Sequence, residues 1–180
     1  MRILKENTIG LIIDIQEKLF PFIYENQQLA INVQKLIEGL HILQIPLLVT
    51  EQYPKGLGPT ISKLSHLVQR TEPVEKNSFS CCDEQRFNDS MAKQGRRNII
   101  ICGIETHVCV EQTVLDLLEN GYQPVVIENC VSSRKLEDKD IAIKRMRMEG
   151  VIITSYEAIL FELCRFSGTE QFKALSKIIK

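Results

Sequence analysis

The sequence lacks most of the features that mark a membrane, metal or nucleic-acid protein. No apolar run approaches the ~20 residues of a membrane span; runs such as Ile9–Ile13 and Ile99–Cys102 are far shorter. Neither sign of charge dominates, since 22 basic and 23 acidic residues give a formal net charge of −1. No basic excess exists to draw in nucleic acid or an anionic membrane surface. No CxxC pair occurs among the six cysteines (Cys81, Cys82, Cys102, Cys109, Cys130 and Cys164), which removes the common zinc-ligand and dithiol spacings. Gly56-Leu57-Gly58 lacks the spacing and the following Lys-Ser/Thr of a phosphate loop. There is no internal repeat, linker or low-complexity tract. A strand pattern begins at Thr8, which leaves no room for a signal peptide and makes a cytoplasmic location the expectation. Thiols there stay reduced. Cys102, inside a strand pattern, reads as a small buried hydrophobe.

What is present is an alternation of strands and helices along all 180 residues. Strands are expected at Thr8–Ile13, Pro46–Thr50, Asn98–Cys102, Gln123–Glu128 and Val151–Thr154, with a weak one near Val68–Thr71. Helical spacing of apolar residues marks Asn26–Gln44, Asp83–Gln94, Val108–Asn120 and Glu137–Glu149, with shorter helices at Ile61–Val68, Ser155–Phe161 and Glu170–Ile179. Gly95 is a plausible C-cap and Ser155 an N-cap. Long loops are expected at Glu51–Thr60 and Glu72–Cys82. The pattern predicts one domain over residues 1–180, an α/β three-layer Rossmann-like fold with a mainly parallel six-stranded sheet. With strand order 3-2-1-4-5-6, ligands bind beyond the carboxyl ends of the first and fourth strands.

Chemistry-bearing residues collect at that point. Asp14 ends the first strand, Thr8–Ile13. It is either a strand-end capping group or a general base, because a carboxylate there is expensive to bury without a partner. Cys109 follows the fourth strand through Gly103-Ile104-Glu105-Thr106-His107-Val108, where a helix start would lower a thiol's pKa and leave it partly as thiolate. Lys76 lies in the loop after the third strand, where its cation would stabilise a thiolate and orient the acid. His107 offers an alternative Cys–His dyad or a pocket wall; His41 and His66 fall in helical patterns away from these residues. Phe20, Gln52 and Tyr53 are candidates to line the pocket by position.

Three segments in this order, Ile12-Ile13-Asp14-Ile15-Gln16, Glu75-Lys76-Asn77-Ser78-Phe79-Ser80 and Gly103 through Thr113, give the chain a specific likeness. It resembles the isochorismatase-like cysteine hydrolases, a superfamily that includes nicotinamidases and N-carbamoylsarcosine amidases, over nearly its whole length. Thr50-Glu51-Gln52-Tyr53-Pro54-Lys55-Gly56-Leu57-Gly58 looks like the YcaC-related branch, mostly hydrolases of undefined substrate. The resemblance implies an Asp14–Lys76–Cys109 triad, a cis peptide between Ile104 and Glu105, and an oxyanion hole formed by the backbone amides of Glu105 and Cys109. The candidate substrate-binding residues are Gln16, Phe20, Gln52, Tyr53 and Ile104. Nicotinamidases bind metal through an Asp and paired histidines after the second strand. Here Glu51 to Gly58 contains no histidine, so no catalytic metal is expected, nor nicotinamide as substrate. True isochorismatases lack the cysteine, so covalent acyl-transfer chemistry is favoured over vinyl-ether cleavage. The expected function is metal-independent, cofactor-free hydrolysis of a small amide or related substrate by a homo-oligomer with no nucleic-acid or membrane partner. A non-enzymatic oligomeric scaffold with a vestigial pocket is the alternative, and a flavodoxin-like cofactor binder a third reading.

Overall fold

The computed structural model describes residues 2–180. Its centre is a sheet of six parallel strands in the order β3-β2-β1-β4-β5-β6. The strands are β1 (Thr8–Ile13), β2 (Leu47–Gln52), β3 (Val74–Lys76), β4 (Asn98–Ile104), β5 (Gln123–Ser132) and β6 (Ile152–Thr154). Every residue of β1 and β4 is buried, which is why both read as unbroken apolar runs rather than alternating ones.

Helices cover both faces. On one side, α1 (Asn26–Ile42), α7 (Tyr156–Cys164) and α8 (Glu170–Ile179) pack Leu36, Leu40, Leu160 and Leu175 onto Ile12, Ile100 and Cys102. On the other, α4 (Gln85–Gln94), α5 (Glu111–Glu119) and α6 (Leu136–Met148) set Phe87, Leu117 and Met146 against Leu11, Ile13 and Ile101. Two short helices, α2 (Pro54–Leu57) and α3 (Ser62–Val68), lie between β2 and β3. No helix among the described residues is long and apolar enough to cross a membrane. Gly95 caps α4 in the left-handed conformation, and the Ser155 hydroxyl accepts the N–H of Ala158 at the start of α7, as the sequence predicts.

Several boundaries differ from expectation, and α2 folds inside the stretch Glu51–Thr60 expected to be loop. Val68–Thr71 is no strand: Val68 closes α3, and the third strand is Val74–Lys76, inside the stretch expected to be loop. Val74 and Lys76 are buried and Glu75 is exposed; the ladder to Thr50, Glu51 and Gln52 selects this segment. Lys76 therefore ends a strand instead of riding on a loop. The helix expected from Val108 begins instead with a π-helical turn over Thr106–Val110, in which the Val110 N–H reaches back to the Glu105 carbonyl at 3.2 Å. β5 runs on to Ser132, with a register shift opposite Ile101 and Gly103.

Gly103 explains how the two central strands close on one another. Its φ of +144° is uncommon for other residues, and a Cβ there would overlap the Ile13 carbonyl oxygen. Only glycine lets β4 pass this close to the end of β1, one residue before Asp14.

Candidate active site

The carboxyl ends of β1, β2, β3 and β4 deliver Asp14, Thr50, Lys76 and the turn carrying Cys109 to one place. Asp14 is 1% exposed, and its backbone N–H donates to the Thr50 carbonyl at 3.2 Å. A buried carboxylate needs partners. The Thr50 hydroxyl donates to Oδ1 at 2.7 Å, and Lys76 Nζ stands 2.7 Å from Oδ2. That second contact is a close buried ion pair, and a carboxylate oxygen so paired still has a lone pair with which to accept.

Lys76 is buried and its ammonium is fully spoken for. Beyond Asp14, it donates to Gln52 Oε1 at 2.8 Å and to the carbonyls of Ser78 and Phe79, each at 3.1 Å. Burial is the largest single influence and works to lower its pKa, but the charges of Asp14, Cys109 and Cys81 and a hydrogen bond to Asp14 together outweigh it, and the net shift is upward. The cation is thus locked on at neutral pH.

Cys109 reaches the same cluster through Gln52. Its thiol donates to Gln52 Oε1 at 3.4 Å. Gln52 Nε2 donates to the Asn77 carbonyl at 3.0 Å, which fixes the amide with its oxygen toward Lys76 and the thiol. Burial pushes the Cys109 thiol up to about 12; the charge of Asp14 adds to the rise and Lys76 opposes it. This overturns the expectation of a resting thiolate. The sulfur is not at an exposed helix start; it sits inside the π turn, beside a carboxylate. A protonated thiol next to a carboxylate is a nucleophile that must hand over its proton as it attacks.

The remaining predicted residues fall in distinct environments. The Ile104–Glu105 peptide is cis, as the resemblance implies. Val108 and Val110 N–H groups both turn back to the Glu105 carbonyl, and the Glu105 carboxylate accepts Arg134 N and Nε at 3.0 Å each. Ile104 is fully buried in the α1-side core. Tyr53 is 55% exposed, in the left-handed region, and lines a cavity of about 300 Å³ with Lys55, Glu75, Lys76, Asn77 and Glu84. Gln16 is wholly buried: its amide donates to the Gln52 and Gly58 carbonyls at 2.9 and 2.7 Å and accepts the Gln52 N–H at 2.8 Å. It braces the Gln52 backbone. Phe20 packs on the α1-side core, the opposite cluster from the one that holds Cys109. His107 faces Ser133 Oγ at 2.9 Å and Asp138 Oδ2 at 4.0 Å, so neither ring nitrogen pairs with Cys109. Thr50 joins the site, although the sequence marks it only as the end of a strand. Its signal was a hydroxyl ending the apolar run Leu47-Leu48-Val49.

Fold and site together define an α/β protein with a buried acid, ammonium and thiol at the point where the strand order reverses. The isochorismatase domain family matches residues 8–158. The mouse isochorismatase domain-containing protein 2A is 37% identical over 99% of this chain and 85% of its own length. Among solved structures, the MAR1 ribonuclease from Caenorhabditis elegans superposes with a TM-score of 0.93 at 38% identity, covering 99% of this chain and 92% of that one. The Escherichia coli YcaC gene product, an octameric hydrolase of unknown specificity, superposes with a TM-score of 0.94 at 21% identity, covering 99% and 89%. The chain belongs to the isochorismatase family, and its fold is shared with YcaC; membership suggests a hydrolytic activity.

Proposed function

We propose that this chain is a cysteine hydrolase of small amides or related C–N and acyl compounds. The observation that carries the reading is the continuous set of contacts from Asp14 through Lys76 and Gln52 to the Cys109 thiol. As the sulfur attacks the substrate carbonyl, a C–S bond forms and the thiol proton passes to Asp14. Charge develops on the carbonyl oxygen, for which the Glu105 and Cys109 backbone amides are the donors. Collapse breaks the C–N bond, and Asp14 returns the proton to the leaving amine. Water then attacks the thioester, gives a proton to Asp14, and the C–S bond breaks with reprotonation of sulfur. Lys76 holds the carboxylate in place and compensates negative charge throughout. No step calls on a metal or cofactor. Homo-oligomeric assembly belongs to this reading, since YcaC is octameric.

The test is a screen of small amides and carbamoyl compounds with wild type and Cys109→Ala in parallel, with RNA as a further arm because the nematode neighbour is a ribonuclease by name. Turnover of an amide that disappears in Cys109→Ala supports the reading. Amide turnover that survives in the variant, or cleavage of RNA alone, overturns it. Iodoacetamide labelling needs no substrate: Cys109 should react well ahead of buried Cys81 at neutral pH, and equal rates would favour the scaffold.

A further inference from the structure

Beside Asp14 lie a buried thiol and a buried hydroxyl that take no part in the proposed reaction. Thr50 is wholly buried at the end of β2, and Cys81, also wholly buried, opens the short 3-10 turn Cys81–Asp83. They are not bystanders to Asp14. The Cys81 thiol donates to Thr50 Oγ1 at 3.9 Å, and Thr50 Oγ1 donates to Asp14 Oδ1 at 2.7 Å. The turn itself is anchored beside the nucleophile: Cys81 N–H donates to Thr113 Oγ1 at 2.9 Å, which donates to the Cys109 carbonyl at 2.6 Å.

A hydroxyl carries one proton. With Cys81 donating into Thr50, the Thr50 proton is committed to Asp14. Oδ1 is therefore held as an acceptor from Thr50, and Oδ2, paired with the Lys76 ammonium, has lone-pair capacity left for a further proton. We infer that Thr50 is a positioning residue that, backed by Cys81, fixes the Asp14 carboxylate so that Oδ2 receives the Cys109 proton. The threonine does not touch substrate; it acts through Asp14. This inference rests on the proposed role of Asp14 as base.

The titratable and charged groups facing Asp14 are Lys76 from β3, Cys109 from the π turn and Cys81 from the 3-10 turn. Removing the Thr50 hydroxyl takes away a hydrogen bond that the ionised carboxylate accepts. The assay is the pH dependence of Cys109 alkylation by iodoacetamide in the full chain, read by mass spectrometry. It needs no known substrate. Thr50→Val, a near-isostere, should shift the acidic limb of the profile up by about 1 pH unit, the worth of a hydrogen bond to a charged group. Thr50→Ser should restore the wild-type limb. Thr50→Ala removes the same hydroxyl without adding bulk if the valine variant does not fold. A wild-type limb that is unmoved in the hydroxyl-free variants overturns this inference alone. A wild-type profile with no acidic limb removes Asp14 as the base and overturns the functional reading with it.

Discussion

Lys76→Met is the perturbation whose size the structure sets most directly. Methionine fills nearly the same volume without the charge. The lysine side chain has no exposed surface, and its Asp14 partner is 1% exposed. Water therefore cannot compensate the carboxylate when the ammonium is gone. Breaking a buried pair from one side costs about 3–5 kcal/mol, and the Ser78, Phe79 and Gln52 oxygens also lose a donor. Against a total stability of about 5–15 kcal/mol, that is a large fraction. For a chain of this length it corresponds to a fall in Tm of about 6–20 °C. The double variant Asp14→Asn/Lys76→Met removes both charges and should recover at least half the loss, because the cost lies in the orphaned charge more than in the missing attraction. The assay is urea unfolding of wild type, both single variants and the double variant at pH 7. A single-variant loss below about 1 kcal/mol, the range of exposed pairs, would show that water reaches the pair. A double variant worse than the sum of the singles would show that the orphaned charge is not what costs. Either result would refute the buried-pair argument.

Other buried contacts set further expected outcomes. Gly103→Ala forces a Cβ onto the Ile13 carbonyl at positive φ and should destabilise by about 3 kcal/mol or more, read by chemical denaturation; a near-neutral result would mean that β1 and β4 are not this close. Gln16→Ala strands the Gln52 N–H and the Gln52 and Gly58 carbonyls and should cost at least about 2 kcal/mol, while slowing Cys109 labelling because Gln52 loses its brace; unchanged labelling would separate Gln52 from the thiol. Burial pushes the thiols of Cys81, Cys102 and Cys109 from 9.0 up to about 12. Raised values mean that the folded state holds these protons longer than the unfolded chain, so this stability is complete below about pH 9 and is lost as pH rises toward 12. Stability measured in reductant should fall steeply above pH 9, by about 1.4 kcal/mol per pH unit for each thiol; a flat profile from pH 8.5 to 10.5 would contradict their burial.

The sequence by itself determined the strand-helix alternation, the sheet order and the gathering of Asp14 and Cys109 at the switch point. Unbroken apolar runs such as Leu11-Ile12-Ile13 and Ile99-Ile100-Ile101 mark strands buried on both faces, and parallel topology then dictates which strand ends meet. It also marked Lys76, although it placed that residue on a loop. Three residues of strand carry too little periodicity to be seen, and β3 exists because β2 offers it a ladder. Only the tertiary structure decided the state of the thiol. A helix start and a buried π turn beside a carboxylate read alike along the chain, yet one favours thiolate and the other a bound proton. The contact of Thr50 with Asp14, and of Cys81 with Thr50, was likewise invisible in sequence. These groups are 36 and 31 residues apart, and no local pattern encodes a hydrogen bond between side chains that meet only when the sheet forms.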